Sequence, residues 1–185
     1  MGTGIDTNQF CSDLWEWNQG TNAWTQKANL GGQARKWATS FSIGTKGYVG
    51  TGFVIPNNYN DFWEWNQSTN TWTQKADFGG TARFTAVGFS IGNKGYIGTG
   101  HDGNMEKDFW EYDPSTNTWT QKADLAGMER NWAVGFSIGL KGYIGTGNNN
   151  GIFLKDFWEW DQASNTWTQK PDFGGTARRA AVGFS

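Results

Sequence analysis

The chain has 185 residues, with 15 basic against 17 acidic side chains and a formal net charge of −2. That balance provides no electrostatic drive toward nucleic acid or an anionic membrane surface, and no apolar run reaches the roughly 20 residues that span a bilayer. With 13 Trp, 13 Phe and 27 Gly beside few aliphatic residues, aromatic rings have to supply most of the core, and turns have to be frequent.

The first residues, Met1-Gly2-Thr3-Gly4, do not form a signal peptide; they are the tail of a motif that recurs in full downstream. Asp13-Leu14-Trp15-Glu16-Trp17 then opens a series that returns as Asp61-Phe62-Trp63-Glu64-Trp65, Asp108-Phe109-Trp110-Glu111-Tyr112 and Asp156-Phe157-Trp158-Glu159-Trp160. The leading tryptophans, Trp15, Trp63, Trp110 and Trp158, are 48, 47 and 48 residues apart. A second tryptophan follows each: Trp24, Trp72, Trp119 and Trp167. After it come Gln-Lys, a glycine-containing turn and a single arginine, Arg35, Arg83, Arg130 or Arg178. This divides the chain into repeats at about 1–41, 42–89, 90–136 and 137–185.

Four strand-like runs are expected per repeat, here 61–66, 71–76, 86–91 and 95–99. Each is short and rich in aromatic or β-branched residues, and polar or Gly-containing turns separate them. In the first of these runs Phe62 faces one way and Trp63 and Trp65 the other, because strand side chains alternate. Both faces are therefore apolar, as in a sheet packed between two neighbours. Four short strands per repeat of 40 to 50 residues is the sequence mark of propeller blades, so the expected fold is all-β, a β-propeller of four-stranded antiparallel blades.

The Lys-Gly-Tyr strand, the Asn70-Thr71-Trp72 turn, the Asp-Phe-Trp-Glu string and the single arginine together resemble the kelch repeat over nearly the whole chain. The sequence departs from it where kelch repeats usually carry two glycines: Thr51-Gly52, Thr99-Gly100 and Thr146-Gly147 stand there instead. The resemblance implies closure by shared strands, the last segment supplying the innermost strand of the blade begun at the N-terminus. Residues 178–185 hold such an inner-strand motif and residues 1–4 the remnant of a second strand. Two arrangements follow: a ring of four blades closed within the chain, or a piece of a longer array whose open edges pair between chains into a homo-oligomer.

Positions that recur in every repeat are expected to be structural. Arg35, Arg83, Arg130 and Arg178 should bond between blades through their planar forks, with Glu16, Glu64, Glu111 and Glu159 as candidate partners. Trp24, Trp72, Trp119 and Trp167 should pack blades together. His101 and Cys11 are the only histidine and cysteine, so no His/Cys metal cluster can form in one chain and no metal or other cofactor is expected. Asp102, Asn104 and Glu106 alternate oxygen ligands as a calcium loop does, but the full series is missing.

The residues that break the repeat carry the functional expectation. Four segments between second and third strands, 5–12, 53–60, 101–107 and 148–155, all differ. They should emerge on the same face as the variable pairs Lys36-Trp37, Phe84-Thr85, Asn131-Trp132 and Arg179-Ala180. Trp37, Phe84, Trp132, Arg179, Tyr59, His101, Asn104 and Phe153 are thus the candidate binding residues, in a non-catalytic module for a protein or glycan ligand. Two alternatives stand beside this reading: a propeller fragment whose main behaviour is self-assembly, and an enzyme of the carbohydrate-isomerising or lyase kind using Arg179 with Glu129. The resemblance, with the scarce cysteine, implies a bacterial secreted or cell-surface setting.

Overall fold

A computed structural model describes residues 2–7 and 9–185. The described residues form strands and turns, and no helix is long and apolar enough to cross a membrane. The first sheet is three-stranded: β1 (Gly2–Ile5), β2 (Phe10–Asn18) and β3 (Ala23–Lys27). The second is four-stranded, from β4 (Thr39–Ile43) and β5 (Lys46–Gly50) to β8 (Phe62–Asn66) and β9 (Thr71–Lys75). Between β5 and β8 lies a small hairpin, β6 (Phe53–Val54) with β7 (Asn57–Asn58). The third sheet contains β10 (Val87–Ile91), β11 (Lys94–His101), β12 (Met105–Asp113) and β13 (Thr118–Lys122). The fourth contains β14 (Val134–Ile138), β15 (Lys141–Gly145), β18 (Phe157–Asp161) and β19 (Thr166–Lys170), with the hairpin β16 (Asn148–Asn149) and β17 (Ile152–Phe153) inserted before β18. All pairings are antiparallel, and equivalent residues meet in each of the three four-stranded sheets, for example Tyr48↔Glu64, Tyr96↔Glu111 and Tyr143↔Glu159.

Consecutive sheets pack through one repeated seam. β10 lies beside β4 on one side and β14 on the other. In each of the last three sheets, rings from the first three strands form a stack, Phe41–Tyr48–Phe62, Phe89–Tyr96–Phe109 and Phe136–Tyr143–Phe157. The next sheet caps that stack with two more rings at centroid separations of 4.8–5.2 Å: Tyr112 and Trp119 on Phe62, Trp160 and Trp167 on Phe109. Tyr112, Trp160, Phe62 and Phe109 are fully buried.

Polar bonds lock the same seam. Arg35, Arg83 and Arg130, themselves buried, reach across to Asp61, Asp108 and Asp156 in paired bonds, with Nη2 contacts of 2.7, 2.8 and 2.6 Å. This corrects the expected partner: the arginines bind the aspartates at the head of each string, not Glu64, Glu111 or Glu159. Those glutamates stay within their own sheets, accepting from Tyr48, Tyr96 and Tyr143 and pairing with Lys75, Lys122 and Lys170; Glu16 pairs with Lys27. Each arginine also donates to the carbonyl of Thr51, Thr99 or Thr146. These threonines hold φ of 60°, 60° and 57°, the left-handed region where glycine is cheapest. The buried threonine hydroxyls find no partner among the described residues.

Two further bonds complete the seam. Trp72, Trp119 and Trp167 donate through Nε1 to the carbonyls of Ala28, Ala76 and Ala123 at 2.8, 3.2 and 2.9 Å. The N–H groups of the same alanines donate to Asn70, Asn117 and Asn165.

Closure within the chain is not observed. β1 is an edge strand paired only with β2, and residues 171–185 form no strand. The first sheet therefore has three strands rather than four, and Met1 of the expected second-strand remnant lies outside the described residues. Residues 181–185 instead run along β14, where a Cβ on Gly183 would meet Val134 at 2.6 Å and Phe136 at 2.9 Å. Gly135 stands the same way against Val87 and Phe89, and Gly88 against Thr39 and Phe41. The segment thus occupies an inner-strand position without a sheet partner.

Candidate functional site

Each connection into an inner strand turns through one left-handed residue: Trp37, Thr85, Trp132 and Ala180, with φ of 59°, 56°, 53° and 55°. This turn aims each N–H at the previous unit, so Ala180 donates to Trp132, Trp132 to Thr85 and Thr85 to Trp37 at 2.9–3.3 Å. The hydrogen-bond relay draws the four units together at one mouth. A cavity of about 250 Å³ opens there, floored by Ala38, Ala86, Ala133 and Ala181 and rimmed by Trp37, Thr85, Trp132 and Ala180.

The residue before each turn forms a bridge to the segment after the second strand: Lys36 to Phe53, Phe84 to His101, Asn131 to Asn148. The two variable regions therefore meet on one face. Trp37 stacks on Phe53 and Phe84 at 5.9 and 5.4 Å and meets Trp132 edge-on at 5.4 Å. His101 rests on Phe84 at 5.1 Å. Lys36 holds its ammonium 3.8 Å from the Trp37 ring centroid, a cation–π contact. Behind Trp132 the contacts are buried amides: Asn148 donates to Asn131, and Asn149 donates to Glu129.

Of the eight candidate residues, Trp37, Phe84, Trp132 and His101 come together. Phe153 and Arg179 pair with each other, the guanidinium 5.6 Å from the ring centroid. Tyr59 lies under Arg35 and serves the seam. Asn104 closes a turn by donating its N–H to Asp102, while Gly103 donates to His101 Nδ1. Lys36, expected at this face only as half of a variable pair, joins the cluster, and so does Phe53, which was not among the candidates. Their signal is register: residues 36, 84 and 131 face 53, 101 and 148, the first residues of the segments treated as loops. Two of those segments carry hairpins, β6–β7 and β16–β17.

Asn104 and Glu106 line an outer cleft, and the carboxyls of Asp102 and Glu106 both feel the charge of Arg83. Burial, opposed by Arg83 and reinforced by the carboxylates of Asp102 and Asp108, pushes Glu106 up to about 6. Burial also works against ionised Asp102, but the Asn104 N–H and its other hydrogen bonds hold it below the ordinary range. Among the described residues no group of three or more metal-binding side chains forms. The Arg179–Glu129 pairing needed by an isomerase or lyase is not formed: Arg179 covers Phe153 and Glu129 accepts from Asn149.

No family model and no curated protein matches this sequence. Solved structures do. Its fold is similar to that of YjhT. The match has a TM-score of 0.79 at 18% identity and covers 95% of this chain and 66% of that one. The chain thus spans just under two thirds of the length of YjhT, and at this identity the likeness concerns the fold alone.

Proposed function

We propose that the four units form an arc of a kelch-type propeller whose aromatic mouth is a non-catalytic recognition site for a single ring, that of a sugar or of an aromatic side chain in a protein. One observation carries this reading: tryptophan occupies the left-handed positions 37 and 132. Thr85 and Ala180 make the same turn without an aromatic ring, so the backbone does not require one there. A bulky side chain at positive φ is a costly choice, on the order of 1 kcal/mol. Trp37 is nevertheless 37% exposed and stands over a cavity.

The aromatic surroundings support a ring as ligand. Trp37 and Trp132 line the cavity, with Phe53 and Phe84 packed against Trp37, so ring faces are available for stacking. The cavity is below the size of drug-like sites and suits one ring. The test is titration with neutral oligosaccharides and with aromatic peptides, followed by intrinsic tryptophan fluorescence. The Trp37→Ala/Trp132→Ala double variant should weaken binding at least tenfold with far-UV circular dichroism unchanged. Binding that survives in that variant removes the mouth as the site.

A further inference from the structure

The two outer faces of this four-unit arc are complementary halves of the internal seam. On the fourth sheet, the Phe136–Tyr143–Phe157 stack borders a cleft of about 960 Å³ that also exposes Phe173 and Val182. Its counterparts, the stacks of the second and third sheets, are capped by the two rings of the following sheet. On the first sheet, Trp17 and Trp24 occupy the capping positions and are 47% and 50% exposed. Tyr112 and Trp160, at the position of Trp17, are 0% exposed.

The polar latch is split in the same way. Arg178 keeps the local half of its motif, donating to Thr176 O and Oγ1 and lying over Phe173, as Arg83 does with Thr81 and Phe78. Among the described residues it has no aspartate. Asp13 keeps the opposite half, accepting from Trp15 Nε1 at 2.6 Å as Asp61, Asp108 and Asp156 accept from theirs. Among the described residues it has no arginine. Thr3, with φ of 59°, presents its carbonyl as Thr51, Thr99 and Thr146 do.

A socket and plug complete the match. A Cβ on Gly95 would strike the Phe41 ring at 2.2 Å, and one on Gly142 the Phe89 ring at 2.6 Å. At the equivalent Gly47 the nearest atom is Trp65 at 3.7 Å, because the first sheet has no inner-strand phenylalanine. A cavity of about 230 Å³ stands there, between β1 and β4, lined by Thr3, Ser40, Phe41, Gly47 and Trp65. The phenylalanine in register with Phe41, Phe89 and Phe136 is Phe184, 91% exposed at the far end.

We infer that the outer face of the fourth unit docks on the first unit of a second copy of this chain, head to tail. Arg178 takes Asp13 and the Thr3 carbonyl, Trp17 and Trp24 cap the Phe157 stack, and Val182 and Phe184 enter the socket beside Gly47 as the inner strand that the first sheet lacks. Such a heterologous contact closes into a ring or propagates, according to the rotation per unit. Two residues make this seam weaker than the internal ones. Pro171 replaces Ala28, Ala76 and Ala123 and has no N–H for Asn22. Ser40 stands where Gly88, Gly135 and Gly183 let the adjacent strand approach.

Sedimentation velocity and native mass spectrometry of the 185-residue chain, across the micromolar range, test this. The expected result is concentration-dependent multiples of the chain mass. Arg178→Asp and Asp13→Arg should each weaken association at least tenfold, and combining the two should restore it. Gly47→Ala should weaken it without altering circular dichroism, and Ser40→Gly should strengthen it. A monomer at every concentration overturns the inference. So does assembly indifferent to the charge swap and to Gly47→Ala, which would mean that another surface is used. None of these variants touches Trp37 or Trp132, so failure here leaves the ring-binding reading intact, and the reverse.

Discussion

The interior seams and the outer faces contain the same residues in the same register but opposite environments. Trp160 is sealed between the third and fourth sheets, whereas Trp17, its counterpart in the first, is nearly half exposed. Arg130 is buried against Asp156, whereas Arg178 is exposed. Burial here is conferred by a neighbour, not by local sequence. Each unit is half of two interfaces, and its stability depends on whether the other halves are present, as expected of a repeat array.

The largest expected contrast is at the arginines. Arg83→Ala strands Asp108 and the Thr99 carbonyl in a buried seam and should cost about 3–5 kcal/mol, read as a lowered urea midpoint. Arg178→Ala in dilute protein should leave that midpoint where it is. Equal losses at both sites would break the comparison.

Glycines sharpen it at a smaller scale. Gly95→Ala and Gly142→Ala push a methyl into a ring held by the neighbouring sheet, an overpacking cost of about 1–3 kcal/mol. Gly47→Ala makes only ordinary contact with Trp65, 3.7 Å away, and should be neutral in the same unfolding assay, or slightly stabilising.

The smallest effect is one of pH. Glu106 titrates at about 6 in the folded chain, above its ordinary 4.5. Its contribution is complete below pH 4.5 and is lost as pH rises through 6. The seams carry the opposite sign. Burial disfavours the charged forms of Asp61 and Asp156, but Arg35 and Arg130, with the Trp63 and Trp158 indoles, hold them below 3.8. Their contribution is present above that value and fades in acid. Glu106→Gln should flatten the dependence of Tm on pH between 4.5 and 6 and leave the acid limb unchanged.

Much of the architecture was legible in the sequence because period and alternation are strong signals. The run expected at 61–66 appears as Phe62–Asn66, and that at 71–76 as Thr71–Lys75. Phe62 is buried while Trp63 and Trp65 are partly so, as two packed faces require. The choice of Glu over Asp as the arginine partner failed for a definite reason: both acids recur with the same period, so periodicity cannot separate them. Strand parity can. Glu64 shares a face with Phe62, opposite Tyr48, whereas Asp61 shares the Trp63 face, which meets the preceding unit. At the mouth, Trp37 and Trp132 stood out because they break the repeat. Phe53 did not, because its meeting with Lys36 depends on a two-residue bridge that composition does not encode. Tyr59 broke the repeat as well, but beneath Arg35 it serves packing.

The offset of about 25 residues between each arginine and its aspartate means that neither half of the latch lies in the unit it completes. A gene segment of 47 or 48 codons, duplicated or deleted at any phase, would carry a donor for the unit after it and an acceptor for the unit before it. Lengthening or shortening by whole units would then need no compensating substitution, so evolution could change the number of units in this array faster than it changes the sequence within them.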